Sequence, residues 1–124
     1  MNRALFFVWI ACMLVSFTCC EKSYKSGTIT FYGQVVDAID GKPVPTAQIS
    51  LSSYDITEVS TVTGSDGAYE VDVTLPSGNK KSYFLNIYIK KNEYVDITSE
   101  INISRDMDGK RVQESFTMTR KLAR

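Results

Sequence analysis

The chain has 124 residues, of which about the first 20 are predicted to form an export signal, so enough remains for one small domain. Lys and Arg together number 14, as do Asp and Glu, and this balance argues against nucleic-acid binding, which usually needs a clustered basic excess. The chain has no histidine, the commonest general base and metal ligand, and its three cysteines all lie at or before position 20, which leaves the folded part without disulfides.

The N-terminus has the three-part layout of a secretory signal. Arg3 supplies a positive charge, the apolar run ALFFVWIACMLV covers residues 4–15, and the chain turns polar after Cys20. This run is shorter than the roughly 18 residues expected of a membrane-spanning helix. Cleavage of the signal is therefore favoured over an uncleaved anchor.

The signal ends in FTCC at 17–20 and resembles a bacterial lipoprotein signal of the Bacteroidetes type. The resemblance implies a cysteine that is acylated and becomes the first residue of the mature chain. Cys20 is the predicted lipidated residue, with residues 1–19 removed, and Cys19 is the second choice because Ser16 replaces the apolar residue that this alignment needs. We expect a palmitate-bearing lipoprotein that is held on the outer membrane of the cell envelope. The alternative is an ordinary secreted protein.

The residues after the signal divide into a tether and a β-rich domain. Residues 20–27 are polar and end in glycine, as in a flexible tether. From residue 28 to residue 124, alternating segments rich in Ile, Val, Thr and Tyr are separated by turn residues, which predicts β-strands, and no stretch has the period of an amphipathic helix. The predicted strands are 28–36, 46–53, 57–63, 68–75, 83–89, 95–103 and 111–119.

Alternation assigns one face of each strand to the core. In the last strand this places the charged residue Glu114 on the inward face, where an apolar residue is expected. Asp-Gly pairs at 40–41, 66–67 and 108–109 supply the positive φ angles of tight turns. We therefore predict an all-β fold, a seven-stranded Greek-key sandwich of the immunoglobulin kind. The residues predicted to be buried are Ile29, Val35, Ile49, Leu51, Tyr69, Val71, Leu85, Ile87, Ile97 and Phe116.

Several motifs in this region resemble the carboxypeptidase regulatory-like domain. They are GQVVD at 33–37, DGKPVP at 40–45, AQISL at 47–51, TGSDGAY at 63–69, YFLNI at 83–87 and NEY at 92–94. The resemblance implies a transthyretin-like Greek-key sandwich of seven strands. It does not imply peptidase activity, because the zinc chemistry of those enzymes belongs to a separate domain.

Enzymes built on related sandwiches need residues that this chain does not have. Transthyretin-like hydroxyisourate hydrolases use histidines, and intradiol dioxygenases bind iron through two tyrosines and two histidines. The segment GSDG at 64–67 is typical of a turn and not of a nucleophile elbow. We therefore predict no catalytic residues, no cofactor and no enzymatic activity.

Two pairs of carboxylates, Asp37 with Asp40 and Asp106 with Asp108, are candidate Ca²⁺ ligands. The ligand series of an EF-hand, including its closing Glu, is missing. Solvated turn carboxylates are therefore the favoured interpretation, and no metal site is predicted.

The candidate binding face consists of aromatic residues. Tyr32, Phe84 and Tyr88 alternate away from the predicted core, and Tyr54 lies at a strand end, so the rings are expected on one side of the domain. Such rings can contact a protein partner or stack on a sugar, although aromatic pairs that only stabilise a sheet are commoner. The lysine pairs at 80–81 and 90–91 are interpreted as solvated loop and edge charges.

These observations lead to a hypothesis about function. The chain is predicted to be a membrane-anchored, non-enzymatic module for protein interaction or an accessory role at the cell envelope. The alternative is a carbohydrate-binding lipoprotein associated with outer-membrane nutrient uptake. The expected partners are the membrane, through the N-terminal lipid, and an envelope protein or a glycan.

Overall fold

The computed structural model describes residues 23–122 and consists of β-strands arranged in two sheets. One 3₁₀ turn, Arg105–Met107, lies between the sixth and seventh strands. In the described residues, no helix has the length and apolar content needed to cross a bilayer. The strands are β1 (Gly27–Asp37), β2 (Gln48–Ser52), β3 (Val59–Val62), β4 (Ala68–Leu75), β5 (Ser82–Lys90), β6 (Ile97–Ser104), β7 (Arg111–Gln113) and β8 (Phe116–Met118).

The two sheets enclose a single core. The first sheet has the order β4-β1-β7, with β8 also paired to β1; β4 is antiparallel to β1, whereas β7 and β8 are parallel to it. The second sheet has the order β3-β2-β5-β6 and is antiparallel throughout. The chain crosses from one sheet to the other after β1, β3, β4 and β6, so the expected all-β, two-sheet architecture is confirmed.

The predicted alternation matches the observed burial. In β4, Tyr69 and Val73 are buried while Glu70 and Asp72 are exposed, so the predicted register of this strand is confirmed. Seven of the ten residues predicted to be buried are in the core. The other three, Val71, Ile97 and Phe116, lie on edge strands and pack against the core but are only partly buried.

The last predicted strand is divided in two, which gives eight strands in residues 23–122 instead of seven. The break falls at Glu114 and Ser115, opposite Gly33 and Gln34. The Ser115 hydroxyl accepts a hydrogen bond from the Gln34 backbone N–H at 3.3 Å, where a regular ladder would use a backbone carbonyl. A Cβ atom at Gly33 would overlap the backbone carbonyl of Glu114, so glycine permits this close approach.

The strand register defines two ends of the domain. The entry end holds the start of β1 and the loops 53–58, 76–81 and 105–110. The far end holds the loops 38–47, 63–67 and 91–96 and the segment 119–122.

The chain enters the domain earlier than predicted. β1 begins at Gly27, and Tyr24, which falls within the predicted tether, exchanges two backbone hydrogen bonds with Gly78. The predicted lipidation site, Cys20 or else Cys19, and the predicted signal lie outside the described residues.

Candidate functional site

A buried carboxylate organises the far end of the domain. Asp37, the last residue of β1, is only 2% exposed. Its Oδ2 accepts hydrogen bonds from the Tyr94 hydroxyl at 2.7 Å and from Arg120 Nε at 2.6 Å. Its Oδ1 accepts from the Ile39 backbone N–H at 2.7 Å. Both carboxylate oxygens therefore have hydrogen-bond donors, as a buried charge requires.

These contacts lower the pKa of Asp37 and raise the pKa values of its two side-chain partners. The hydrogen bond from Tyr94, followed by those from the Ile39 backbone and Arg120, holds the pKa of Asp37 well below its usual range despite its burial. The same bonds to Asp37 raise the pKa of Tyr94 and the pKa of Arg120. At neutral pH the site is therefore an ionised carboxylate, a neutral phenol and a charged guanidinium.

The acidic pairs were interpreted from the sequence as solvated turn carboxylates, and the structure corrects this interpretation. Asp37 is buried and hydrogen-bonded, and Oδ2 of the nearby Asp40 accepts a hydrogen bond from Arg120 Nη2 at 3.2 Å. Asp108 accepts a hydrogen bond from the Thr28 backbone N–H at 2.8 Å, which joins the loop 105–110 to the start of β1. Sequence reasoning missed these roles because the donors lie far away along the chain.

A polar cleft of about 420 Å³ lies next to the cluster. Three lysines line it, Lys90, Lys91 and Lys121, together with the acidic residues Glu93 and Asp96. Its wall also contains Thr46, whose Oγ1 lies 2.6 Å from Lys91 Nζ. The size is within the range of small-molecule sites, but the polar lining suits a charged ligand and not an apolar one.

The buried cluster positions part of the cleft wall. Tyr94 and Arg120, both bonded to Asp37, form a β-bridge with each other. Next to this bridge, the Lys121 N–H donates to the Glu93 carbonyl at 2.7 Å. The Asp37 carboxylate therefore fixes the segment that brings Lys121 against the turn after β5.

The structure separates the aromatic residues that were predicted to share one face. Phe84 and Tyr88 lie on the outer face of the second sheet and are 63% and 39% exposed. Tyr32 belongs to the first sheet, where the Arg111 guanidinium lies 4.7 Å from its ring centroid. Tyr54 is fully exposed in the β2–β3 loop at the entry end. The expected single aromatic side is therefore not formed.

Tyr88 does border a second, smaller cleft of about 210 Å³, which shares Gln48 and Lys90 with the first. Lys90 and Lys91, interpreted from the sequence as solvated edge charges, thus line the main cleft. Lys121 was missed altogether. The one signal that pointed toward it is the basic C-terminal run that begins with Arg120 and Lys121.

Comparison with known proteins identifies structural neighbours only. No protein-family model matches the chain, and no curated protein matches it. The fold is similar to that of catechol 1,2-dioxygenase from Acinetobacter, with 14% identity, a TM-score of 0.59, and coverage of 80% of this chain and 54% of that one. It is also similar to 3-chlorocatechol 1,2-dioxygenase from Rhodococcus opacus, with 13% identity, a TM-score of 0.58, and coverage of 76% and 60%. Hydroxyquinol 1,2-dioxygenase from Pseudomonas putida gives 12% identity, a TM-score of 0.58, and coverage of 79% and 58%.

These neighbours contradict two hypotheses drawn from the sequence. The chain was expected to be a non-enzymatic interaction or accessory module, with a carbohydrate-binding lipoprotein as the alternative, and it was expected not to be an enzyme. The three solved proteins named above, whose fold is similar, are dioxygenases and therefore enzymes. The expectation was wrong because it excluded catalysis from missing histidines, whereas a fold can support several chemistries. The chain spans less than two thirds of the length of these neighbours, and at these identities the likeness shows the fold alone.

The iron chemistry of intradiol dioxygenases does not fit the residues of this chain. An iron site of two tyrosines and two histidines cannot be assembled from a sequence without histidine. Within residues 23–122, no group of three or more His, Cys, Asp or Glu side chains is placed to hold a metal ion. We assign no reaction step to iron in this chain.

Proposed function

We propose that this chain is an envelope lipoprotein whose β-sandwich binds a small anionic ligand in the lysine-lined cleft at its far end. The observation that carries the proposal is the placement of Lys90, Lys91 and Lys121 around one cleft of about 420 Å³. Two of the three come from the end of β5 and its turn, and the third comes from the C-terminal segment. Three ammonium groups exceed the two carboxylates of the same cleft, which favours a ligand with phosphate or carboxylate groups.

The geometry of the cleft supports binding by preorganised groups. Thr46 holds Lys91 by a hydrogen bond between Oγ1 and Nζ, and it adopts a positive φ of 54° in the loop just before β2. Glu93, at a φ of 74°, forms the tight turn that places its carbonyl against Lys121 N–H. The Asp37 cluster holds the same place in the chain, because its members Tyr94 and Arg120 are the neighbours of Glu93 and Lys121. Preorganised donors lose less conformational entropy when a ligand binds.

The lipoprotein part of the proposal rests on the sequence of the N-terminus. An apolar run followed by FTCC at 17–20 and by a polar segment supports acylation at Cys20 and retention at the outer membrane. Growth of the native host with a palmitate analogue should label the wild-type chain and Cys19→Ser but not Cys20→Ser. Labelling of Cys20→Ser but not of Cys19→Ser would move the site to Cys19, and no labelling of the wild type would refute the lipoprotein assignment.

We also propose that the domain is a transthyretin-like Greek key related to the carboxypeptidase regulatory-like domain, with β7 and β8 together acting as its seventh strand. Packing of the motif residues supports this proposal. Val35 N–H donates to the Gly67 carbonyl, and a Cβ at Gly67 would overlap the Val35 carbonyl. Thr63, buried, bonds the Val44 carbonyl and the Ala47 N–H. Four of the motifs thus meet in one corner of the far end.

Ligand binding can be tested by titrating the protein with inorganic phosphate, pyrophosphate and citrate while recording backbone amide NMR spectra. We expect concentration-dependent shifts at Thr46, Gln48 and Asn92, which line the cleft. The double variant Lys90→Gln with Lys121→Gln should weaken binding by at least about tenfold, because each lost cation removes a charge-assisted contact. Lys110→Gln, a matched exposed lysine at the entry end, should bind as the wild type does. Equal binding by both variants, or no shifts with any of the three anions, would refute the anion site.

A further inference from the structure

The loops of the entry end surround the point where the chain leaves the domain toward its N-terminus. Tyr24 is tied to Gly78 by backbone hydrogen bonds of 2.6 and 3.0 Å. Arg105 reinforces this point: its guanidinium donates to the Lys25 carbonyl at 3.2 Å and to the Lys80 carbonyl at 2.9 Å. The same guanidinium lies 5.1 Å from the centroid of the Tyr24 ring. The first part of the chain is therefore held against the domain from Tyr24 onward.

This attachment limits how far the entry end can move from a lipid on Cys20. Cys20 precedes Tyr24 by four residues, a span of at most about 14 Å even for an extended chain. The sandwich itself is longer, because β5 has nine residues and extends over roughly 30 Å. A lipid-anchored domain therefore keeps its entry end near the membrane surface.

The entry end carries side chains suited to that surface. Tyr54 is fully exposed at the tip of the β2–β3 loop. Its neighbour Asp55 forms an ion pair of 2.7 Å with Lys80, which ties this loop to the β4–β5 loop that holds Tyr24. Lys25 and Lys81 are exposed on the same end. Tyrosine is enriched where membranes meet water, and lysine is attracted to anionic headgroups.

We propose that the entry end of the domain rests on the lipid headgroups, with Tyr54 in the membrane interface and Lys25 and Lys81 against anionic lipids. This inference rests on the lipid anchor of the proposed function. It places the lysine-lined cleft on the side of the domain that faces away from the membrane. A lipid surface is the expected contact of the entry end for two reasons. The N-terminal segment joins the domain at this end, and the sequence of that segment predicts an acyl anchor.

The orientation can be measured with the full-length, lipidated protein in vesicles. The folded part of the chain has no cysteine, so Ser77→Cys and Ser65→Cys each introduce a unique thiol for a maleimide fluorophore. Both serines are exposed loop residues, Ser77 at the entry end and Ser65 at the far end. The vesicles contain phosphatidylethanolamine, phosphatidylglycerol and a lipid with a nitroxide on its headgroup, which quenches nearby fluorophores.

We expect the fluorophore at position 77 to be quenched at least about twofold more than the one at position 65, and Tyr54→Ser in the Ser77→Cys background to reduce that difference. If the protein stays on the vesicles but both positions are quenched equally, the docking is refuted while the lipid anchor stands. If the wild-type chain is not retained on the vesicles, the anchor fails and the docking fails with it. Unchanged quenching after Tyr54→Ser would refute the role of this ring.

Discussion

Arg120 Nε lies 2.6 Å from the Oδ2 atom of Asp37, although 83 positions separate the two residues. Asp37 ends the first strand, and Arg120 follows the last one, so this ion pair fastens the C-terminal segment to the end of β1. The carboxylate is buried and the guanidinium is half exposed. Because Lys121 follows Arg120 directly, the pair that stabilises the far end also holds Lys121 in its place at the cleft.

Replacement of the buried carboxylate should destabilise the domain. In Asp37→Asn, the side chain no longer offers charged oxygens to Tyr94 and Arg120, and its amide N–H₂ group faces donors. We expect the thermal midpoint to fall by about 5 °C or more. Asp106→Asn, an exposed control on the 3₁₀ turn, should leave the midpoint nearly unchanged. Equal midpoints for the two variants would contradict a structural role for the Asp37 cluster.

The same cluster predicts how stability depends on pH. The pKa of Asp37 is lower in the folded state than its unfolded value near 4, so the unfolded chain binds the extra proton first as the pH falls. The contribution of Asp37 is therefore fully present above about pH 4 and is lost progressively below it. Urea unfolding at pH 7, 4, 3 and 2 should show the gap between wild type and Asp37→Asn closing as the pH falls. A gap of constant size would refute this assignment.

The close approach between β1 and the break after β7 makes a prediction about Gly33. In Gly33→Ala the new methyl group would overlap the Glu114 carbonyl, so the strands must separate locally. We expect a loss of about 1–3 kcal/mol in the free energy of unfolding, measured by chemical denaturation. For Gly64→Ala the nearest atom is the movable Asp66 side chain at 3.2 Å, and a much smaller change is expected. If Gly33→Ala is as stable as Gly64→Ala, the packing of the two segments is not as described.

Neighbouring residues of β5 should differ sharply in their contributions. Leu85 is fully buried and Phe84 is largely exposed on the opposite face of the sheet. Leu85→Ala should cost about 2–5 kcal/mol of unfolding free energy because it leaves a cavity in the core. Phe84→Ala should cost about 1 kcal/mol or less, which reflects only strand preference and surface packing. Chemical denaturation of both variants checks the register, and a reversed order would contradict it.

The features that the sequence predicted well are those with a local signal. Alternation of period two is enough to place Tyr69 in the core and Glu70 outside it, because successive side chains of a strand point to opposite faces. The positive φ angles at Gly41, Gly67 and Gly109 follow from the Asp-Gly pairs, because tight turns need a positive φ that glycine adopts without strain. Each of these properties depends on a few adjacent residues.

The features that the sequence did not predict depend on contacts between distant residues. Asp37 was interpreted as a solvated carboxylate because its donors, Tyr94 and Arg120, lie 57 and 83 positions away. The aromatic residues were expected to share one side because alternation shows which face of a strand a ring occupies but not which sheet the strand joins. The cleft combines β2, the turn after β5 and the C-terminal segment, and no motif in the sequence connects these three places.

The parallel pairing of β1 with β7 has a consequence for how the domain is made. Thr30 pairs with Arg111, so the 80 residues that lie between the two partners must be synthesised before they can pair. Until then β1 has only β4 beside it, and one of its edges offers unpaired backbone groups to other chains. Pairings between distant segments form slowly because the intervening chain must first be brought together. The first sheet is therefore complete only after β7 and β8, which lie near the end of the described chain, have been synthesised.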